Sequence, residues 1–414
     1  MSARIHQVID QHIEEAAFLG LLRSIAVHQP HYDLNHLSTL DNRIEAHLDG
    51  LRIAGPVALE TLLQQLDPNA QGEIFAATVL AFETANTAAM ARLAEHVRAA
   101  PDSARFMAAA LGWLDWARVE PWVDKLLGSP EALFRQIGLA ACGMHRRDPG
   151  PALIAGLAHA DAAVVAQAAR TAGELRRRDL LPAIRAHRLQ ADENARFWAN
   201  WATVQMGDEE ALLPLRQFAE QPGPLQQRAL PVLLAWQPRE TSVAWIRQLM
   251  PQAQQRRMVI QAVGLLGDPL SLPWLIQQMQ EVPQARVAGE AFSLITGADL
   301  ALLDLELRDT PEHDAGPNDD PADANVAMDE DENLPWPDPA LVEAWWQGEK
   351  GAYQNGQGYF LGQPVSEQGY RLALSTAQQR QRRVAAYGLA RFRPTEALFP
   401  VAAPAWRQRA LLKT

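Results

Sequence analysis

Six of the eleven histidines lie in the first 47 residues: His6, His12, His28, His31, His36 and His47. Imidazole is the commonest protein ligand for transition metals, and a metal-binding helix presents two of them at i, i+4, as in H-E-x-x-H. None of the six is so spaced, and no H-E-x-x-H motif occurs. His28 and His31 flank Pro30, where a helix should end and a cationic ring suits the dipole. Surface and capping roles are therefore expected, with no metal site. Cys142 is the only cysteine, which excludes an internal disulfide and any Cys-rich zinc site. It sits in "IGLAACGMH", on the apolar side of a helical pattern, and reads as a buried, inert thiol. No G-x-S-x-G or G-x-x-x-x-G-K motif occurs. "GQGYFLG" (Gly356 to Gly362) resembles a nucleotide loop only superficially. It has no strand before it and no Rossmann unit after it, so it reads as a turn. No catalytic residue and no cofactor is expected.

Two arginine clusters remain. "HRR" ends in Arg146 and Arg147, and "RRR" comprises Arg176, Arg177 and Arg178. The clusters are 31 residues apart, so in a repeat of that length they would form a local basic stripe. At solvated helix C-termini they would offset the helix dipole. As a functional stripe they would meet an acidic protein surface, and these five arginines are the candidate partner-binding residues. Phosphate neutralisation dominates nucleic-acid affinity and calls for a basic groove. Here the formal charge is −12, and Asp309 to Glu332 carries ten acids and no Lys or Arg. Without that run the charge is −2, which argues against nucleic acid as the main ligand.

These residues must be held by elements, and the elements repeat. Pro121, Pro151, Pro182, Pro214 and Pro273 each precede an apolar helical pattern, at spacings of 30, 31, 32 and 59. Proline suits a first helical turn, where its missing N–H is not needed. A second helix is expected to begin near Arg105, Arg135, Arg196, Arg228, Arg257 and Arg286. A helix pair of about 30 residues, repeated, is the signature of stacked helical repeats. The expected fold is all-α: a HEAT-like α-solenoid, a superhelix of about eight helix pairs with helical N- and C-terminal caps. Aligned on the arginine, Trp198 and Trp201 fall at positions that are apolar in every copy carrying it. They are expected in the core between helices, not in an aromatic ligand cage.

The organisation expected is an N-terminal helical cap (1–54), a HEAT-like array (55–308), an acidic flexible linker (309–334) and a C-terminal helical cap region (335–414). The N-terminus places Asp10, Glu14 and Glu15 where a signal peptide needs an apolar run, and no stretch is apolar enough to span a membrane. A cytoplasmic location is expected, with no membrane partner.

The opening "EEAAFLGLLRSIAVHQPHYDLNHLSTLDNRIEAHLDGLRIAG", the stretch "GYFLGQPV" and the end "RRVAAYGLARFRPTEALFPVAAPAWRQRALL" resemble an uncharacterised bacterial family. Its members have about 400 residues and HEAT-like (armadillo-like) repeats, and are often encoded near type VI secretion components. The resemblance implies a non-catalytic protein-binding scaffold: an adaptor, chaperone-like or immunity-like accessory protein. Its partner would be another protein, a secretion effector or a secretion component. The alternative is a HEAT-like nucleic-acid-binding or DNA-glycosylase-like enzyme. HEAT-like di-iron hydroxylases use repeated His-Glu dipeptides, and this chain has none.

Overall fold

The computed structural model describes residues 6–67, 70–312, 316 and 328–413. Among them the chain is mostly helical, with twenty-two α-helices and one two-stranded hairpin. It divides into two compact units. The first comprises Met1–His28, Tyr32–Ala211 and Arg393–Thr414; the second comprises Gln29–His31 and Leu212–Phe392.

The first unit opens with α1 (His6–Ala26), α2 (Leu34–Ala54), α3 (Pro56–Gln64), α4 (Gln71–Glu83), α5 (Thr87–Ala99) and α6 (Ala104–Trp113). It continues with α7 (Trp116–Leu127), α8 (Ala132–His145), α9 (Pro151–Leu157), α10 (Ala162–Leu175), α11 (Leu181–Arg185) and α12 (Glu193–Gln205). The second contains α13 (Leu212–Glu220), α14 (Gln226–Trp236), α15 (Arg239–Leu249), α16 (Arg256–Leu266), α17 (Leu272–Gln278) and α18 (Val282–Thr296). After these come α19 (Pro339–Glu349), the hairpin β1 (Tyr359–Phe360) and β2 (Gln363–Pro364), α20 (Glu367–Thr376) and α21 (Gln379–Phe392). Helix α22 (Ala405–Leu412) belongs to the first unit.

The expected helix pairs form where the sequence signals placed them, with one correction. Pro151 occupies a first helical position, Pro182 and Pro273 second ones, and Pro214 a third. Pro121, expected to open a helix, lies inside α7, which begins five residues earlier at Trp116. Val119 and Val123 on that helix are buried, and this apolar stripe extends the helix back past the proline. The arginine-marked second helices begin as expected, with Asp192 capping α12 through the backbone N–H of Ala195 at 2.8 Å.

Within the first unit these second helices pack in series, α4 on α6, α6 on α8, α8 on α10 and α10 on α12. Within the second, α14 packs on α16 and α16 on α18. A single pair cannot bury its own apolar stripe; the next pair does so. Trp198 and Trp201 lie in this seam. Both are buried, with ring centroids 5.0 Å apart in edge-to-face contact, and Arg170 stacks on the Trp198 ring. The question of a cage is thus answered in favour of the core.

Candidate functional site

The ends of the second helices are where each unit does something beyond packing. In the first unit α8 and α10 both stop on a left-handed residue, Arg146 (φ 55°) and Arg176 (φ 55°), thirty residues apart. A left-handed cap turns the chain so that the last carbonyls are met by following N–H groups. It also aims two arginines the same way. Both reach the non-helical segment that leads into α22. Arg146 Nε donates to the Leu398 carbonyl at 2.7 Å, and Arg176 donates to the Arg393 carbonyl at 2.9 Å. The Leu398 N–H in turn donates to the Glu174 carbonyl at 2.8 Å. Farther along, Arg23 donates to the carbonyls of Ala402 and Ala403, and Arg407 donates to those of Gly112 and Leu114.

A buried ion pair fixes the far end. Asp41, fully buried, accepts from Arg23 Nε at 2.6 Å and from the Ala405 N–H at 2.6 Å. A carboxylate satisfied from both sides this way anchors α22 on α2. Arg407 on α22 adds side-chain contacts, but the polar contacts to the non-helical stretch before that helix are mainly to its main-chain carbonyls. Such contacts do not depend on the side chains of the segment held.

The five candidate arginines divide accordingly. Arg176 was expected at a solvated helix end, but only 6% of it is exposed. Its second hydrogen bond runs to the Gln205 carbonyl at 2.9 Å. The left-handed turn folds its side chain inward beneath the returning segment, which sequence spacing could not reveal. Burial, then the neighbouring Arg178, pushes its guanidinium pKa down to about 10. Arg146 is also engaged, with the Leu398 carbonyl and Glu174. Arg177 pairs with Asp179 at 2.7 Å and with Asp148. Arg147 and Arg178 are exposed, Arg147 lying over the Trp116 ring.

In the second unit the same helix ends receive the hairpin. Helices α16 and α18 stop on left-handed Gly267 (φ 71°) and Gly297 (φ 72°), again thirty residues apart. A Cβ at Gly267 would lie 2.1 Å from the Tyr359 carbonyl oxygen, and one at Gly297 2.7 Å from that of Leu361. Only glycine admits the hairpin backbone this closely. Tyr359 N–H donates to Gly267, and those of Leu361 and Gly362 donate to Leu294 and Ile295. "GQGYFLG" forms a turn, as its composition predicts, and that turn docks on the two helix ends.

The other ends of these helices carry a second group. Arg257 of α16, Arg286 of α18 and Arg380 of α21 converge on Asp329, Glu330 and Asp331. Arg257 holds both carboxylate oxygens of Asp331, one at 2.9 Å, and Arg286 pairs with Asp329. Arg286 also donates to the Asp331 carbonyl at 2.9 Å, and Arg380 to the Glu330 carbonyl at 2.6 Å. Gln227 donates to the Glu330 side chain at 2.7 Å. Burial alone would raise the Asp331 carboxyl; Arg257, then Arg380 and Arg286, overcome that and hold it below its ordinary value. Glu290 sits in the same group, paired with Arg380 at 2.9 Å, its carboxyl pushed up by burial against that pull. In the sequence, Arg257 and Arg286 read as markers of second helices and the acids as a linker. Nothing in either stretch signalled that they meet. Of the expected linker, residues 313–315 and 317–327 lie outside the described residues.

The remaining chemistry-bearing residues have structural surroundings. His36 and Asp33 form a capping box at the start of α2. His12 and His47 face each other with Nδ1 atoms 3.1 Å apart, one hydrogen bond linking α1 and α2. Cys142 is buried, and burial pushes its thiol up to about 12. Among the described residues no cluster of three or more His, Cys, Asp or Glu could hold a metal, and no helix is long and apolar enough to cross a membrane. No family model matches the chain, and no curated protein matches it significantly.

Proposed function

We propose that the protein is a non-catalytic scaffold that binds other proteins, built as a HEAT-like α-solenoid with helical caps. The observation that carries the reading is the row of helix ends in the first unit. There Arg146 and Arg176 hold a non-helical polypeptide segment by its carbonyls. A repeat that already recognises peptide backbone at regular helix ends suits a partner chain lying along further ends of the same kind. The serial packing of second helices supports the solenoid. The association with type VI secretion, as an adaptor, chaperone-like or immunity-like accessory protein acting in the cytoplasm, rests on the family resemblance alone. Many of the basic side chains are already neutralised: Arg177 by Asp148 and Asp179, and Arg185 and Arg188 by Asp208. That pairing weakens the nucleic-acid alternative, which needs unpaired cations along a groove.

The test is co-expression of the full chain with type VI secretion components and effectors, one at a time, followed by size-exclusion chromatography with light scattering. A stoichiometric complex with one of them is expected. Failure to form any complex, together with salt-dependent retention on DNA, would replace this reading with the nucleic-acid one.

A further inference from the structure

The acidic turn 329–331 is held in a way that differs from the rest of the second unit. Its own bonds make it a preformed turn: the Leu334 N–H donates to the Asp331 carbonyl at 2.8 Å, and the Asp331 N–H to the Asp329 carboxylate at 2.9 Å. Its attachment to the helices is almost wholly polar, through Arg257, Arg286, Arg380 and Gln227. Those four residues come from four helices, α16, α18, α21 and α14, and read three acidic side chains and two carbonyls. The chain on either side is fastened separately. Leu307 N–H donates to the Trp336 carbonyl and Asp338 N–H to the Leu305 carbonyl, each at 2.8 Å, with Glu306 bridged to Pro337. Asp338 then caps α19. The turn can therefore leave the arginines without disturbing the neck or the helix that follows.

With the turn gone, the acid left beside the three guanidinium groups, among the described residues, would be Glu290, paired with Arg380. Such a site has a net positive charge, and its forks match carboxylates two at a time. We propose that Arg257, Arg286 and Arg380 form a receptor for an acidic linear segment of a partner protein, and that Asp329–Asp331 is its displaceable internal occupant. This rests on the protein-binding reading and names the partner's chemistry. The turn competes with the partner, so binding is held back until a segment with more or better-placed carboxylates arrives.

The probe is a fluorescein-labelled peptide, MDEDENLP, matching residues 328–335, added to the full chain. The receiving variant carries Asp329→Asn, Glu330→Gln and Asp331→Asn together, which empties the charge from the internal occupant. Fluorescence anisotropy should show the peptide binding this variant at least about tenfold more tightly than the wild type. The gain should shrink severalfold as salt rises from roughly 0.05 to 0.5 M. It should vanish when Arg257→Gln is added, and the neutral peptide MNQNQNLP should not bind. No gain in the triple variant, a gain indifferent to Arg257, or an oligonucleotide that binds in preference to the peptide would each overturn the proposal. So would loss of helical circular dichroism in the triple variant, because the turn would then be an indispensable part of the fold. Co-purification with a secretion protein reads the whole chain and this peptide reads one site, so either result can fail without the other.

Discussion

Replacing Arg176 separates a solvated helix-end cation from a buried clamp. Its guanidinium donates to the carbonyls of Arg393 and Gln205, both at 2.9 Å. Hydrogen bonds to a charged group contribute about 1.5–3 kcal/mol each. Burial disfavours the charged form, as the depressed pKa records, so the lower end of that range applies. Arg176→Ala should therefore destabilise the first unit by about 3 kcal/mol, which lowers the midpoint of thermal unfolding by roughly 6–12 °C. The backbone at φ 55° adds a second, separable effect. Alanine remains strained there while glycine does not, so Arg176→Gly should be about 1 kcal/mol more stable than Arg176→Ala. Arg178→Ala, at an exposed neighbour, should change stability by less than about 0.5 kcal/mol. Urea unfolding followed by circular dichroism gives the free energies, and limited proteolysis between Arg393 and Leu398 reports release of the returning segment. An Arg176→Ala protein as stable as Arg178→Ala, with that segment equally protected, would refute the clamp.

Trp201→Ala should cost about 3–5 kcal/mol, since the ring is only 3% exposed and fills the seam between α10 and α12; a urea midpoint unchanged from wild type would contradict its place in the core. His145 is held neutral, its pKa lowered to about 4 by burial first and then by Arg407, although its hydrogen bond with the Leu111 carbonyl acts the other way. The folded pKa lies below the unfolded value of 6.5, so the unfolded chain takes up the proton first. The associated stability is complete above pH 6.5 and is lost as pH falls towards 4, by about 3 kcal/mol in all. His145→Gln should flatten the stability–pH curve between those values, and an equally steep curve in the variant would show that the imidazole is not the group responsible.

The helices and the burial of Trp198 and Trp201 were legible in the chain itself. Proline, arginine and apolar positions recurring about every thirty residues act locally: each signal concerns one turn of helix or one face. Pro121 shows the limit of that reading. The apolar stripe of Val119 and Val123 outweighed the proline, and α7 starts before it. "GQGYFLG" was recognisable as a turn from its glycines, but not that it docks on Gly267 and Gly297.

What the sequence determined by itself was therefore what has a short period: a mostly helical chain, where most of its helices begin, and which face of a helix is apolar. The tertiary structure decided what the charged residues do. Arg176 sits one residue past a helix, where sequence predicts water, and becomes buried only because a segment more than two hundred residues later crosses over it. Arg257 and Arg286 carry the same sequence signal as Arg105 or Arg196, yet they meet the acidic turn, together with Arg380 and Gln227. The physical reason is range. Hydrophobic periodicity is fixed by neighbours three or four residues away, whereas a charge takes its role from whichever distant segment the packed repeats bring within about 3 Å of it.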